Sequence, residues 1–502
     1  MKKHIYLFLT IFSFSLSTFS QSVGITDFMR LNPYSNFNNP AYFTPYKGYV
    51  GVPGIANFNF SFYNSGLKYK NIIELDAQGF PKTITPNKFF NSLHPTNNWL
   101  NTELNLELLG FGFRVEKLFF SFNYRLKFDE RFKYSRDLLG FFIPGNLAQK
   151  DNGEYLYTKE SPAILGISPN INIYQEMSIG FQGQILNRLY IGARPKILFG
   201  LINLKTENFQ ATIYSNPKDY TIYGNYDVSM NIASALPFYT KDANGNINLS
   251  LGSLLNFENG VMGVVKNVFS KNLGFAIDLG AVYRINQQIR VSASITDLGF
   301  IKWKGTPLNI SIKPLPDGKD YEFAGFTTNQ ISNFIKNGIN ISLDSIINNN
   351  FVVQGIDSYN TMLTSKIMAD GYFDLTPSNR FILQFKGYIM GKTLLPQFTV
   401  AYNGTFFNFI DVVVSYSILP KDYSNLGLGL GLRLGPIHLY AGTDNVLAPL
   451  NLLNTSKLNA TFGLLIDFPV KAKVKEVRLE SIFKKKEVKR EQEDNEKVKS
   501  KN

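Results

Sequence analysis

Apolar and polar residues alternate along this chain with a period of two, in many segments of about ten residues. Between residues 273 and 284 the odd positions are apolar, and the even positions are mostly small or charged, including Asp278 and Arg284. Successive side chains of a β-strand point to opposite faces, so the pattern predicts strands with one apolar face. The same pattern recurs in the segments 118–128, 289–296, 381–386 and 426–434.

Two features of these segments favour a membrane-spanning barrel over a soluble two-sheet β-protein, which is the alternative. Crossing a bilayer takes about nine to eleven tilted residues, whereas strands of soluble sheets commonly have about five or six. The polar face also carries charges at mid-strand, which are tolerated where they face water or one another inside a barrel. We therefore predict an all-β fold, an antiparallel transmembrane β-barrel. Its lumen-facing candidates are Asp278, Arg284, Arg290, Lys386, Arg433 and His438.

Short and long connections alternate along the chain, as they do in outer-membrane barrels. Breaks such as Gln287-Gln288 and Pro377-Ser378 alternate with long polar inserts at 229–271 and 302–361. We predict short turns in the periplasm, loops outside, and an even number of about 14 to 16 strands. The alternation leaves the strands before residue 104 and between 206 and 228 undefined. Further inner turns are predicted at 116–117, 186–187, 403–408 and 435–436, outer loops at 129–169, 391–395, 419–424 and 443–456, and a short helix within 329–350.

Composition agrees with a barrel. Aromatic residues make up 15 % of the chain and charged residues only 18 %, and aromatic side chains suit both strands and the girdles at membrane interfaces. The absence of cysteine excludes disulfides and lipid attachment through cysteine. The net charge of +13 includes 12 Lys+Arg against 7 Asp+Glu in residues 471–502. The body lacks a compact basic motif with interleaved aromatics, so we predict no nucleic-acid partner.

The first residues predict export. Lys2 and Lys3 precede an apolar run from Ile5 to Leu16, and Ser20 provides a small residue for cleavage. The alternative, an uncleaved anchor, needs roughly 20 apolar residues, and serines interrupt this run. We therefore predict a protein of the cell outer membrane. Its predicted parts are a signal peptide at 1–20, a plug-like segment at 21–55, a barrel at 56–468 and a basic periplasmic tail at 469–502.

The predicted last strand carries a candidate assembly signal. The segment 461–468 alternates and ends on an aromatic residue. It resembles the β-signal that the outer-membrane assembly machinery recognises, with Gly463, Ile466 and Phe468 at its glycine, hydrophobic and aromatic positions. The alternative is a last strand without that role. The tail from Lys471 is too rich in Lys and Glu to bury a core. It is either a contact for anionic envelope groups or a solvated extension.

The sequence carries little that points to catalysis. It has three histidines and no cysteine, and it lacks a phosphate-binding loop or a nucleophile elbow. We therefore predict that the protein is not an enzyme and uses no cofactor or metal. Asp297, Asp444 and Asn445 lie at predicted strand ends, where they could bind calcium or cap turns. His438 alternates with Ile437 and is predicted to point into the lumen and hydrogen-bond there.

Several short patches resemble known barrel families. Asn39-Pro40-Ala41, ahead of a many-stranded barrel, resembles the families related to long-chain fatty-acid transporters and to the outer-membrane components of type IX secretion and gliding. Other patches are similar to an uncharacterised family of Bacteroidota-type outer-membrane barrels of unknown function. They are Asp278-Leu279-Gly280 with Tyr283-Arg284, the segment 294–303, and the segment 439–445. The resemblance spans 22–468 and implies an N-terminal segment that plugs the lumen, without ligand residues to carry over.

These observations support two hypotheses of function. The first is a porin-like transporter or channel for an apolar or amphipathic solute, with a plug around Asn39, Pro40 and Ala41 and the charged lumen groups along its path. The alternative is a non-enzymatic scaffold or accessory subunit of a secretion, adhesion or gliding complex. It would act through the inserts 229–271 and 302–361 and the tail. The predicted partners are outer-membrane lipid, the assembly machinery, and either the solute or envelope subunits.

Overall fold

The predicted all-β fold is confirmed by a computed structural model. Fourteen antiparallel strands pair in chain order and close into a barrel. The number lies within the predicted range and is even. The strands are β1 (Tyr46–Gly51, continued by Phe58–Asn64), β2 (Asn98–Val115), β3 (Leu118–Tyr134), β4 (Ile167–Leu186), β5 (Leu189–Ser215), β6 (Leu273–Arg284), β7 (Ile289–Trp303), β8 (Ser365–Thr376), β9 (Asn379–Met390), β10 (Thr393–Phe406), β11 (Ile410–Leu419), β12 (Asp422–Leu434), β13 (Ile437–Thr443) and β14 (Lys457–Pro469).

The structure describes most, but not all, of the chain. The predicted signal peptide, the tail beyond residue 469 and the predicted helix within 329–350 lie outside the described residues. The described residues are 24–42, 46–66, 73–75, 81–84, 92–142, 145–150, 152–241, 247–249, 267–312, 315, 319–323, 351–390, 393–419, 422–448 and 456–469.

The first strand closes the barrel. β1 pairs antiparallel with β2 on one side and with β14 on the other. Between its two parts the main chain leaves the ladder and returns, with hydrogen bonds from Val52 N to Leu464 O and from Leu464 N to Ile55 O. Since β1 starts at Tyr46, this part of the predicted 21–55 segment lies in the wall. Closure gives every barrel strand two neighbours and removes the open edge of a flat sheet.

The long connections all lie at one end of the barrel, as predicted, and this end is here called the loop end. Two connections at the loop end, 391–392 and 420–421, have only two residues each, so the predicted alternation of short and long connections is incomplete. Every connection at the opposite end, here called the turn end, has two to four residues. These connections are 116–117, 187–188, 285–288, 377–378, 407–409 and 435–436.

The outward side chains form an apolar band around the barrel. Phe275 is 58 % exposed, Leu383 61 % and Val400 55 %, while their inward neighbours on the same strands are mostly buried. An apolar surface of this extent is unfavourable in water and suits the hydrocarbon that surrounds a transmembrane barrel. The outward positions therefore make the band that the period-two pattern predicts.

The long inserts hold strands where the sequence predicts loops. β5 has 27 residues, far more than a crossing needs, and its second half pairs with Ile222–Ser234 beyond β6. Leu308–Ile312, Tyr321–Phe323 and Val352–Gly355 continue this outer sheet at the loop end. Reading 229–271 and 302–361 as surface loops is therefore wrong for these parts. The strands that follow Ile222–Ser234 have only three to five residues, too few to show a clear period of two.

Other predicted boundaries also move. The outer loop predicted at 129–169 is shorter, because β3 continues to Tyr134 and β4 begins at Ile167. In the extension of β3 both faces carry charged residues, Asp129 and Arg131 on one and Glu130 on the other, so the alternation that marks a strand is lost there. A helix, α1 (Arg136–Phe142), lies in the remaining loop. In the described part of the chain, no helix has the length and apolar character needed to span a membrane.

A candidate functional site between the N-terminal segment and the barrel wall

Residues 24–42, here called the N-terminal segment, lie inside the barrel. They form two 3₁₀-helices, Ile25–Phe28 and Pro33–Phe37. The second helix begins at Pro33. The Asn32 side chain caps it by accepting a hydrogen bond from Tyr34 N, and proline suits the first position because a backbone N–H there would have no partner within the helix. The segment packs its apolar residues against the inner face of the wall. This buried cluster includes Ile25, Phe28, Met29 and Tyr34 of the segment, and Tyr372, Ile382, Val413 and Tyr440 of the wall.

Asn39-Pro40-Ala41 forms a tight turn that is fixed to the wall. Asn39 O accepts a hydrogen bond from Tyr42 N at 3.0 Å, and Asn39 Oδ1 accepts one from Ala41 N at 2.9 Å. Asn at the first position and Pro at the second are residues that such turns favour. Asn39 Nδ2 also donates to Ala293 O of β7 at 3.3 Å. The motif thus serves both the turn and its attachment.

Two glycines of the wall make room for this turn. Gly192 of β5 and Gly280 of β6 are direct cross-strand partners. A Cβ atom on Gly280 would lie 2.1 Å from Asn39 Oδ1, and one on Gly192 would lie 2.2 Å from the carbonyl carbon of Pro40. Neither position can carry a larger side chain with the segment in place. Gly280 belongs to the sequence patch Asp278-Leu279-Gly280. The sequence pattern alone does not show that this glycine lies against Asn39 and Pro40.

Asp444 fixes the other end of the segment. Its Oδ1 accepts a hydrogen bond from Ile25 N at 2.9 Å, while its Oδ2 lies 3.2 Å from Lys457 Nζ and 2.8 Å from Asn459 Nδ2. The neighbouring Asn445 donates to Lys457 O. Both oxygens of the Asp444 carboxylate thus have partners within the protein, whereas the sequence left calcium binding open for this residue. Among the described residues, no group of three or more His, Asp or Glu side chains could hold a metal ion.

Charged side chains at the middle of the inner face form one network, here called the central ion cluster. Lys196 Nζ lies 2.7 Å from Asp278 Oδ1 and 2.6 Å from Asp297 Oδ1, and Lys127 Nζ lies 3.0 Å from Glu176 Oε2. The buried charges therefore compensate one another, as buried ions must. The members of the cluster are Arg125, Lys127, Glu176, Arg194, Lys196, Asp278 and Asp297.

A bulge brings Asp297 into this cluster. Asp297 lies in the middle of β7 with a φ of 57°, opposite a register shift between Ile277 and Leu279. Its N–H donates to Asp278 Oδ1 at 2.7 Å, and both Thr296 and Asp297 are buried. The prediction that Asp297 sits at a strand end is wrong, because the bulge interrupts the alternation without ending the strand.

The central ion cluster also holds the N-terminal segment. Arg194 Nη2 donates to both oxygens of Asn36, each at 3.0 Å. The Phe37 ring centre lies 4.2 Å from the guanidinium carbon of Arg125 and 5.1 Å from that of Arg194. Cations over an aromatic face are attracted to it. The alternation in 118–128 puts Arg125 on the polar face of that predicted strand, but it gives no sign that Phe37 contacts Arg125.

Other predicted lumen residues also have partners on the inner face. Lys386 Nζ lies 3.2 Å from Asp27 Oδ2 of the N-terminal segment. Arg433 Nε lies 3.3 Å from Asp467 Oδ1, and His438 Nδ1 lies 3.5 Å from Asp467 Oδ2, without forming a hydrogen bond. Asp467, which no sequence motif marks, is thus the shared partner of two predicted residues.

The residues of the candidate assembly signal lie in β14, the strand that closes against β1. Ile466 and Phe468 are exposed on the outward face, 39 % and 50 % respectively. Gly463 is on the inner side, where a Cβ atom would lie 2.1 Å from Ala56 O. Recognition of this strand by the assembly machinery stays a prediction.

A cavity of about 380 Å³ remains between the N-terminal segment and the wall. It lies at the turn end, because the exposed connection residues Pro377 and Asn408 line it. Its volume falls within the usual range of small-molecule pockets, about 300 to 1,000 Å³. Three predicted lumen residues line this cavity, namely Arg284 and Arg290 on adjacent strands and Arg433.

Replacing Asn39 by alanine tests the turn as an attachment. We expect residues 24–42 to exchange their amide hydrogens about tenfold faster, because Ala41 N and a wall carbonyl lose a buried partner worth about 1 to 3 kcal/mol. Hydrogen exchange followed by mass spectrometry measures this. Asn152→Ala is the matched control, since Asn152 Oδ1 accepts from Glu154 N in an exposed turn. Equal protection of 24–42 in both variants would contradict the role of Asn39.

Several solved structures are similar to the chain at low sequence identity. Solved structures similar to the chain include the Pseudomonas putida toluene transporter TodX, with 9 % identity, a TM-score of 0.39, and coverage of 89 % of this chain and 97 % of that one. The Ralstonia pickettii toluene transporter TbuX has 8 % identity, a TM-score of 0.40, and coverage of 87 % and 94 %. A Pseudomonas aeruginosa FadL homologue has 10 % identity, a TM-score of 0.39, and coverage of 90 % and 99 %.

No curated protein matches the chain in sequence. A family model, described as a family of unknown function (DUF5723), matches residues 40–444. The match begins at Pro40 of the N-terminal turn and ends at Asp444, which binds the amide of Ile25. It therefore includes the three wall residues Arg194, Ala293 and Asp444 that hold the N-terminal segment. The resemblance to a family of unknown function is confirmed, and the chain belongs to DUF5723.

Proposed function

We propose that the protein is a non-enzymatic barrel of the outer membrane that lets an apolar or amphipathic solute pass, with the N-terminal segment closing the lumen at rest. The apolar outward band and the predicted signal peptide support this location. The observation that carries the proposal is the fit between the segment and the wall. Gly192 and Gly280 leave only enough room for the turn at Asn39-Pro40-Ala41.

The contacts that hold the segment suit a closure that can open. Polar groups fix it at separate places, through Asn39, through Asn36 and through the amide of Ile25. Each such hydrogen bond contributes about 0.5 to 1.5 kcal/mol net, or somewhat more when charged. The cavity at the turn end shows that the segment and wall are not packed together there. A solute that occupies this space could compete for part of the contact.

Deleting residues 22–45 tests the proposal. We expect the deletion to abolish saturable uptake of an apolar fluorescent probe, N-phenyl-1-naphthylamine, and to give a steady conductance in planar bilayers. The closed lumen of the full-length protein should conduct only when the segment moves. A deletion of 471–502 serves as the control, since it removes the predicted tail and none of the residues 24–42 or of the wall strands. Unchanged uptake together with silent bilayers would contradict a transport function.

The outer sheet supports the second candidate function, a scaffold for an envelope complex. Its strand Ile222–Ser234 pairs along its whole length with β5, so it presents an ordered surface at the loop end. The same pair of deletions separates the two functions. A scaffold would lose no uptake when residues 22–45 are removed, whereas a transporter would.

A further inference from the structure

The cavity at the turn end carries a marked excess of positive charge. Among the described residues that line it, five are arginines and one is acidic. The acidic residue, Asp27, is already paired with Lys386 at 3.2 Å. Two carboxylates next to the lining, Asp374 and Asp467, pair with three of the arginines, so guanidinium groups still outnumber carboxylates at the cavity. The five arginines are Arg30, Arg284, Arg290, Arg380 and Arg433.

Two of these arginines face each other across a strand pair. Arg284 of β6 and Arg290 of β7 are direct cross-strand partners, and like charges in that arrangement destabilise a sheet. Arg290 Nη2 donates to Asp374 Oδ2 at 2.8 Å, but Asp374 also accepts from Arg380 Nε at 2.5 Å. Arg290 Nε is buried and has no hydrogen-bond partner among the described residues. One carboxylate therefore serves two guanidinium groups and leaves a buried donor unsatisfied.

The rest of the cavity is apolar and aromatic. Phe28 and Val282 line it, as do Tyr42, Tyr190 and Tyr372. The guanidinium of Arg284 lies over the Tyr190 ring, with 5.1 Å from its carbon to the ring centre. A site of this kind offers one wall for hydrocarbon and another for an anion. Guanidinium groups bind carboxylate and phosphate oxygens through two parallel hydrogen bonds, which fixes the orientation of the anion.

We propose that this cavity binds an anionic amphiphile, with its carboxylate or phosphate head between Arg284 and Arg290 and its hydrocarbon part against Phe28 and Val282. The bound oxygens would satisfy Arg290 Nε and separate the two like charges. The inference deepens the proposed function by naming the chemical class of the solute. It rests on that function only for the passage of the molecule, because binding can be measured without it.

Equilibrium binding to the full-length protein tests the inference. The purified barrel, held in lipid nanodiscs of neutral lipid, is titrated calorimetrically with decanoate, decyl phosphate, decanol and inorganic phosphate. We expect decanoate or decyl phosphate to bind at least tenfold more tightly than decanol or inorganic phosphate, because only they engage both walls. Preference for one of the two amphiphiles identifies the head group. Equal affinity for decanoate and decanol would overturn the proposal.

Substitutions then locate the site. Arg284→Gln and Arg290→Gln are each expected to weaken decanoate binding about tenfold or more, which is the value of one charge-assisted hydrogen bond. Arg284→Lys keeps the positive charge but removes the two parallel N–H donors of the guanidinium, so it should weaken decanoate binding several-fold. Arg188→Gln is the matched control, since Arg188 lies exposed in the turn 187–188 and does not line the cavity. Unchanged binding in the folded Arg284 and Arg290 variants would overturn the inference.

A variant that is expected to strengthen decanoate binding provides a further test. Asp374→Asn removes the carboxylate that competes for Arg290 and Arg380, so decanoate should bind several-fold more tightly. Weaker binding to folded Asp374→Asn would contradict an anion site at these arginines. Binding with the expected specificity, but without uptake, would leave this inference standing and contradict the proposed passage.

Discussion

Replacing Gly280 by leucine should open the barrel. Even its Cβ atom would lie 2.1 Å from Asn39 Oδ1 and 3.0 Å from Pro40 Cδ, and the turn there is fixed to β7 as well. The leucine side chain therefore has to displace the turn from the wall. We expect the variant to show a steady conductance in planar bilayers at least tenfold above that of the unaltered protein, whose lumen contains the segment.

Gly371→Leu is the matched control for this experiment. Gly371 lies in the wall strand β8, and a Cβ atom there would meet no atom within 4 Å. Its neighbours Asp370 and Tyr372 are buried on the inner side, so Gly371 faces outward. This variant should stay closed. A Gly280→Leu protein that folds and stays as silent as Gly371→Leu would show that the segment does not seal the lumen.

Replacing Glu176 by glutamine should strongly destabilise the barrel. Glu176 is fully buried and contacts Arg125, Lys127 and Lys196. The substitution keeps its shape and removes one of the three negative charges that compensate four cations in the central ion cluster. Breaking a buried ion pair on one side costs about 3 to 5 kcal/mol.

The measurement is urea unfolding in detergent micelles, followed by the fluorescence of the two tryptophans, Trp99 and Trp303, of which Trp303 is fully buried. Glu207→Gln is the control, because its pair with Lys205 is partly exposed, with 40 % and 31 % of the two side chains accessible. Exposed pairs contribute about 0 to 1 kcal/mol. Similar losses of unfolding free energy in the two variants would mean that the central ion cluster adds no special stability.

The barrel was predictable because one physical rule acts on every strand. Hydrocarbon outside and polar groups inside impose a period of two, which residues 273–284 and 426–434 show along their full length. The rule fails where both sides of a strand meet water or protein. Ile222–Ser234 and the second half of β5 lie in the outer sheet, away from hydrocarbon. Their residues therefore do not alternate between apolar and polar as those of the membrane-spanning parts do.

The site was less predictable, because its contacts join residues far apart in sequence. The pattern marked Asp278, Lys386 and Arg433 as inward residues, but their partners could not be read from it. A bulge at Asp297 changes which face the following residues take, and no local residue pattern announces that change. The sequence shows that position 280 has no side chain, but not why. The reason is the close contact with Asn39, which is far away in the sequence.

The places where the N-terminal segment is held bear on the order in which the protein can be assembled. Asn39 is bound by β7, near the middle of the chain, while the amide of Ile25 is bound by Asp444, just after β13. The N-terminal segment precedes every wall strand in the chain, so it can complete its contacts only once the strands through β13 have been delivered to the membrane. Since β14 then joins β1 to finish the cylinder, sealing of the lumen and completion of the wall are late steps of biogenesis that depend on each other.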